Sequence, residues 1–233
     1  VPKPLCSWTL DIIEERAIET AKKYGSADSK VYTDYKELLK DENIDSVDIC
    51  TPNYLHSIIA VAAFEAGKHV FCEKPDAVSV EEALRMDAAA KKAGKTLMIM
   101  RNNRFVAPSQ YAKKYIEAGK MGEIYCGRCG WQRRRGIPGK GGWFTTKEQS
   151  GGGPLIDLGV HMIDLAMYLM GNPRPVSVSG ATFCKFADND ASARVCKYCM
   201  TPFPNEPAPV QSTPQQTSQA QTIAAQPTSN QPE

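Results

Sequence analysis

Three polar residues stand on one otherwise apolar stretch, PLIDLGVHMIDLAMYLMG: Asp157, His161 and Asp164. At i, i+4 and i+7 of a helix they share one face, and buried polar groups on such a stripe need partners. Three readings meet that need: a structural hydrogen-bond network, a metal site of two carboxylates and a histidine, or an acid–base site. A second centre is Glu73-Lys74-Pro75, which stops the apolar run KHVFC abruptly. A lysine there sheds part of its water and suits proton transfer, although an isolated EKP tripeptide equally suits a surface turn. Thr51-Pro52-Asn53, followed by His56, is a third. Asn53 is placed to cap a helix and leave amide donors beside a ligand, whereas His56 in the first turn reads as a surface histidine. Gly151-Gly152-Gly153 ahead of the aspartate–histidine helix permits close backbone approach.

The elements that must position these residues alternate in period. Helical spacing covers 11–25, with Ile13, Ala17 and Ala21 on one stripe, then 34–41, 54–67, 79–94 and 108–122. Ser79 with Glu82 has the spacing of a capping box, and Gly94 ends that helix. Short apolar runs at 46–52, 68–75 and 95–103 read as buried strands. Strands alternating with amphipathic helices imply βαβ units and a parallel sheet, in which ligands bind beyond the carboxyl ends of the strands. Thr51–Asn53 and Glu73–Pro75 fall at such ends. Beyond 122 the texture changes to an expected strand at 123–135, a glycine-rich loop, the helix at 154–171 and an expected strand at 176–183.

Composition excludes several classes. A net charge of +2 gives no case for nucleic acid, and Arg133-Arg134-Arg135 reads as a solvated loop. Most of the eight cysteines sit singly in apolar runs, which fits a reducing cytoplasm. Cys126/Cys129 and Cys196/Cys199 have C-x-x-C spacing, but the first pair lies on an expected strand and would face opposite ways, against a thiolate zinc site. No apolar run approaches a membrane span, and the opening VPKPLCSWTLDIIEE does not read as a signal peptide. Residues 187–233, rich in Pro, Gln, Ser and Thr from about Thr201, form a low-complexity tail expected to be disordered.

Taken in order, TPNYLH, AGKHVFCEKP, NRF and SGGGPLIDLGVHMIDLAMYLMG resemble the Gfo/Idh/MocA family of NAD(P)-dependent oxidoreductases, from about Asp11 to about Phe186. The family includes glucose–fructose oxidoreductase and inositol 2-dehydrogenase. The resemblance implies an α/β fold, here an incomplete Rossmann sheet over 1–103 followed by a partial open-sheet domain over 104–186. It implies hydride transfer between NAD, or NADP, and a sugar or cyclitol. By the same likeness Lys74, Asp157 and His161 would be catalytic: Lys74 positioning substrate, with a cis bond before Pro75, Asp157 holding hydroxyls and His161 acting as base. Asp11, Thr51, Asn53, His56, Glu73, Lys74 and Arg104 would face the cofactor, and Trp143 would line the sugar site. Asp11 would hold the ribose hydroxyls and favour NAD. A homo-oligomer built on the open sheet is a family expectation.

Two departures stand beside it. No G-x-G-x-x-G occurs in these residues, so the centre of the sheet is expected to hold an empty slot, and the residues before Asp11 do not read as a clean strand. After Phe186 the further strands of the open sheet are not evident. The competing reading is therefore a truncated, noncatalytic remnant or assembly module of the same family.

Overall fold

The computed structural model describes residues 6–132, 143–181 and 222–226. A six-stranded sheet organises the larger of two compact units, residues 1–172 with 219–233; the other unit spans 173–218. The strands are β1 (Cys6–Leu10), β2 (Gly25–Tyr32), β3 (Ser46–Cys50), β4 (His69–Cys72), β5 (Leu97–Ile99) and β6 (Thr222–Gln226), in the order β2-β1-β6-β3-β4-β5. β1 runs parallel to β2, and β3, β4 and β5 are mutually parallel, with Val47 opposite Val70 and Phe71 opposite Met98. The sheet is the expected Rossmann-type α/β arrangement. Helices α1 (Glu14–Tyr24), α2 (Tyr35–Leu39), α3 (His56–Glu65), α4 (Val80–Ala93), α5 (Ala107–Glu117), α6 (Lys147–Ser150) and α7 (Val160–Leu169) complete it.

The core follows the strand alternation. Val47 and Ile49 of β3 and Val70 and Cys72 of β4 are buried, and they join Ile59, Ala63 and Phe64 of α3 and Met86 and Ala90 of α4 in one cluster. Leu38, Leu39 and Ile44 extend it beneath α2. Helix ends obey the sequence rules. Ser79 accepts the Glu82 amide at the start of α4, and Gly94 closes that helix at φ +63°. A methyl group at Gly94 would meet nothing within 4 Å, so only the left-handed backbone penalises a side chain there. Gly94→Ala is expected to lower stability by about 1 kcal/mol, read as a lower urea midpoint at unchanged slope.

Several expectations are corrected. β1 is a strand although CSWTL does not look like one, because parallel pairing to β2 satisfies its main chain. β2 carries no strand signal in the sequence, since Val31 and Tyr32 are the only large apolar residues in it. Residues 123–132 and 176–181 are not strands: they have no ladder partner among the described residues, and Tyr125, Val176 and Val178 are almost fully exposed. The central slot is not empty. β6 lies in it, antiparallel to both β1 and β3, with Thr9 opposite Ala224 and Ile49 opposite Ile223. The tail over 187–233, expected to be disordered, thus supplies a strand at 222–226: ladder pairing is main-chain chemistry, and β1 and β3 otherwise present unpaired inner edges. Residues 133–142 and 182–221, with the arginine run and the Cys196/Cys199 pair, lie outside the described residues.

Candidate active site

Each parallel strand delivers a polar residue to its carboxyl end. At the end of β1, Asp11 is buried and accepts the Ile13 amide at 2.9 Å. Burial pushes its carboxyl above the ordinary aspartate value, against the Ile13 amide and the Arg16 charge. At the end of β3, Thr51, Pro52 and Asn53 are buried. Asn53 does not cap the helix as expected. A 3-10 turn over Asn53–Leu55 runs straight into α3, and the Asn53 amide donates instead to the Ser150 carbonyl at 2.7 Å. That bond fixes α6, just before the triple glycine, against the strand end.

His56 is the largest correction in this region. It is 0 % exposed, with Nδ1 2.7 Å from the Pro75 carbonyl and Nε2 2.9 Å from the Thr51 carbonyl. A turn-initial histidine reads as a surface residue only if nothing packs over it; here the Glu73–Pro75 turn does. The ring thus ties the end of β3 to the turn after β4 and offers no atom to a ligand. Burial lowers its pKa, while the two carbonyls and Glu73 pull the other way.

At the end of β4 the Lys74–Pro75 peptide is cis, as expected from the resemblance. Lys74 Nζ donates to Asp157 Oδ1 at 2.9 Å and lies 3.4 Å from the Asp157 carbonyl; both side chains are about four-fifths buried. The structure therefore brings together residues 83 positions apart. Asp157 sits in a single π-helical turn, Leu155–Gly159, that leads into α7, and His161 follows in the first turn of α7 itself. The π turn matters because such wide turns re-aim side chains at functional positions. His161 is half-buried, and burial lowers its pKa first, followed by Lys74 and with a smaller contribution from Arg101; Asp157 and Glu73 oppose them. A histidine kept neutral beside a lysine and a hydrogen-bonding carboxylate is arranged to accept a proton.

Asp164, the third residue of the expected stripe, turns to a different set of partners. Arg104 donates to it from Nε at 2.7 Å and also from Nη2, and Arg104 lies over the Tyr168 ring. Arg104 is thus engaged in bracing α7. No group of histidine, cysteine and carboxylate side chains that could hold a metal occurs among the described residues. Cys126 and Cys129 are exposed, and burial pushes the Cys50 and Cys72 thiols well above the usual range.

Two residues of this region, Phe144 and Arg101, are not among those the sequence singles out. Phe144 presents its ring 5.8 Å from the Lys74 ammonium, and Trp143 packs on Phe144 at 4.7 Å between ring centroids. The aromatic pair WF in the glycine-rich loop carried the signal, but only Trp143 stood out.

Comparisons with known proteins bear on the family and the fold. Residues 8–100 match an oxidoreductase family with an NAD-binding Rossmann fold, and residues 109–198 match the GFO/IDH/MocA C-terminal domain. D-glucoside 3-dehydrogenase of Escherichia coli is 43 % identical over 71 % of this chain and 46 % of its own length. Levoglucosan dehydrogenase of Pseudarthrobacter phenanthrenivorans is 40 % identical over 67 % of this chain and 40 % of its own. A levoglucosan dehydrogenase solved with NADH and levoglucosan superimposes with a TM-score of 0.62 at 36 % identity, covering 72 % of this chain and 45 % of that one. The chain thus spans under half the length of these relatives.

Proposed function

This chain belongs to the GFO/IDH/MocA oxidoreductase family, and from that premise we propose that it serves NAD-dependent oxidation of a sugar or polyol hydroxyl, or the reverse reduction. The single observation that carries this reading is the Lys74–Asp157 pair at 2.9 Å, just past the carboxyl end of the parallel strand β4, with His161 one helical turn beyond Asp157. The relatives named above include two sugar dehydrogenases, and one solved relative holds NADH and a sugar.

The residues present fit a dinucleotide at both of its ends. Asp11, at the end of β1, would accept hydrogen bonds from the adenosine ribose beside the one it takes from the Ile13 amide, which would favour NAD over a 2′-phosphorylated cofactor. Thr51 and Glu73, at the ends of β3 and β4, would flank the nicotinamide end. When bound, the nicotinamide supplies the hydride acceptor. Lys74 and Asp157 hold the substrate hydroxyl and its neighbour, and His161 takes the hydroxyl proton on its imidazole. The aromatic face of Phe144 keeps water from Lys74, and Trp143 behind it shapes the sugar side.

His161 must be neutral to act as base. Its pKa lies below the ordinary histidine value of 6.5, so the rate is expected to hold down to about that pH and to fall as pH drops through the His161 pKa. A pH profile of kcat/KM, read as NADH absorbance with a panel of aldoses, glucosides and cyclitols, checks this. An acid limb starting well above pH 7 contradicts the assignment.

One observation favours the second reading, a noncatalytic module of the same family. The slot between β1 and β3 is occupied by antiparallel β6, and among the described residues no glycine turn stands there to seat a pyrophosphate. Calorimetric titration with NAD separates the two. Saturable binding supports the enzyme reading, and a folded chain that takes up no NAD sinks it.

A further inference from the structure

Among the described residues, the turn that carries Lys74 and the helical segment that carries Asp157 and His161 are joined directly by one ion pair, Lys74–Asp157. Under the dehydrogenase reading both of these groups engage substrate, so the pair that joins the two elements is also the pair that must open. A second tie lies behind it. Arg101, just past β5, is largely buried, its side chain 20 % exposed. Its Nη2 donates to Asp76 Oδ1, two residues beyond Lys74 on the same turn. Its Nε lies 3.4 Å from Asp164 Oδ1, three residues beyond His161 on α7. Asp164 is held in turn by Arg104. The remaining nitrogen, Arg101 Nη1, is buried with no hydrogen-bond partner. Proteins rarely leave a buried donor unpaired, so the guanidinium is fixed there by its two carboxylates rather than by a full set of bonds.

We propose that Arg101 is a positioning residue: by bridging Asp76 and Asp164 it holds the Lys74 turn in register with His161 while the Lys74–Asp157 pair opens to admit a sugar hydroxyl. The proposal rests on the dehydrogenase reading for its purpose, though not for its geometry. A planar fork can address two carboxylates on separate elements at once, which a single ammonium cannot. Lysine at this position therefore keeps the charge and loses the bridge.

That distinction supplies the test, made on the full chain with Arg101→Lys, Arg101→Gln and Asp76→Asn. Asp76 is 43 % exposed, so its replacement spares the fold. Arg101→Lys is expected to lower kcat by roughly 10- to 100-fold, as sub-ångström misplacement of reacting groups does, with NAD affinity within about twofold. Asp76→Asn is expected to move kcat the same way by about 3- to 10-fold. The His161 titration, followed by NMR, adds a readout that needs no turnover. The charged groups acting on His161 are Lys74, Asp157, Glu73 and Arg101. Arg101→Gln removes one of the two cations and is expected to raise the midpoint, whereas Arg101→Lys leaves it in place. Unchanged kcat in both Arg101→Lys and Asp76→Asn overturns the proposal. So does an unmoved His161 titration in Arg101→Gln, and that result stands even if the chain proves inactive toward every sugar, an outcome that would count against the dehydrogenase reading alone.

Discussion

Lys74→Ala and His161→Ala are each expected to reduce kcat/KM for sugar oxidation by on the order of 10²- to 10⁴-fold, the range typical of a lost general acid–base group. The two losses differ in kind. His161→Ala removes the proton acceptor but leaves the Lys74–Asp157 pair at 2.9 Å intact, so substrate still binds and the loss falls on kcat. Lys74→Ala strips Asp157 of its cation, so a partly buried carboxylate must find another donor. The loss then falls on KM as well as kcat. Stopped-flow or steady-state NADH absorbance, with cofactor binding measured separately, resolves the two patterns. Retention of activity within twofold in both variants removes these residues from the chemistry.

His56→Leu is expected to cost about 2–4 kcal/mol of stability, a large share of what a domain of this size possesses. Leucine fills much of the volume but donates nothing, which leaves the carbonyl of Thr51 or Pro75 without its proton donor in a site closed to water. The denaturation midpoint falls at constant slope. The pH dependence carries the same information. His56 binds its proton less readily folded than unfolded, so its contribution to stability is complete above the ordinary value near 6.5 and is lost as pH falls through the folded value. That slope should vanish in His56→Leu, where no group remains to titrate. A variant with unchanged midpoint and unchanged acid slope would show that the ring is not the tie between β3 and the Lys74 turn.

The strands β3, β4 and β5 and helices α3, α4 and α5 were legible because each carries both a period and a stop, such as Ser79 and Gly94 around α4. The position of Lys74 and Thr51 at strand ends followed from the parallel sheet alone. What lay beyond the sequence were facts about long-range burial. Nothing local distinguishes His56 from a surface histidine, since its partners lie on Thr51 and Pro75. Asn53 has the right chemistry for a cap and spends it on Ser150, 97 residues away. Arg101 follows a strand as many surface arginines do, and only Asp76 and Asp164 closing on it give it a task. The expected strands at 123–135 and 176–183 failed for the converse reason. β-propensity describes fitness for a sheet and does not supply the neighbour that makes one.

The order of the strands also dictates when the molecule can become whole. β6 pairs with β1 and β3 across sequence separations of more than about 170 residues, and among the described residues no other strand joins the two halves of the sheet. Without β6 the β1–β2 and β3–β4–β5 ribbons would each carry an open inner edge, held together only by the apolar cluster that Trp8 and Leu10 share with Ile49 and Ile59. Such edges are templates for pairing with other chains, so seating β6 protects the molecule from association as well as closing its sheet.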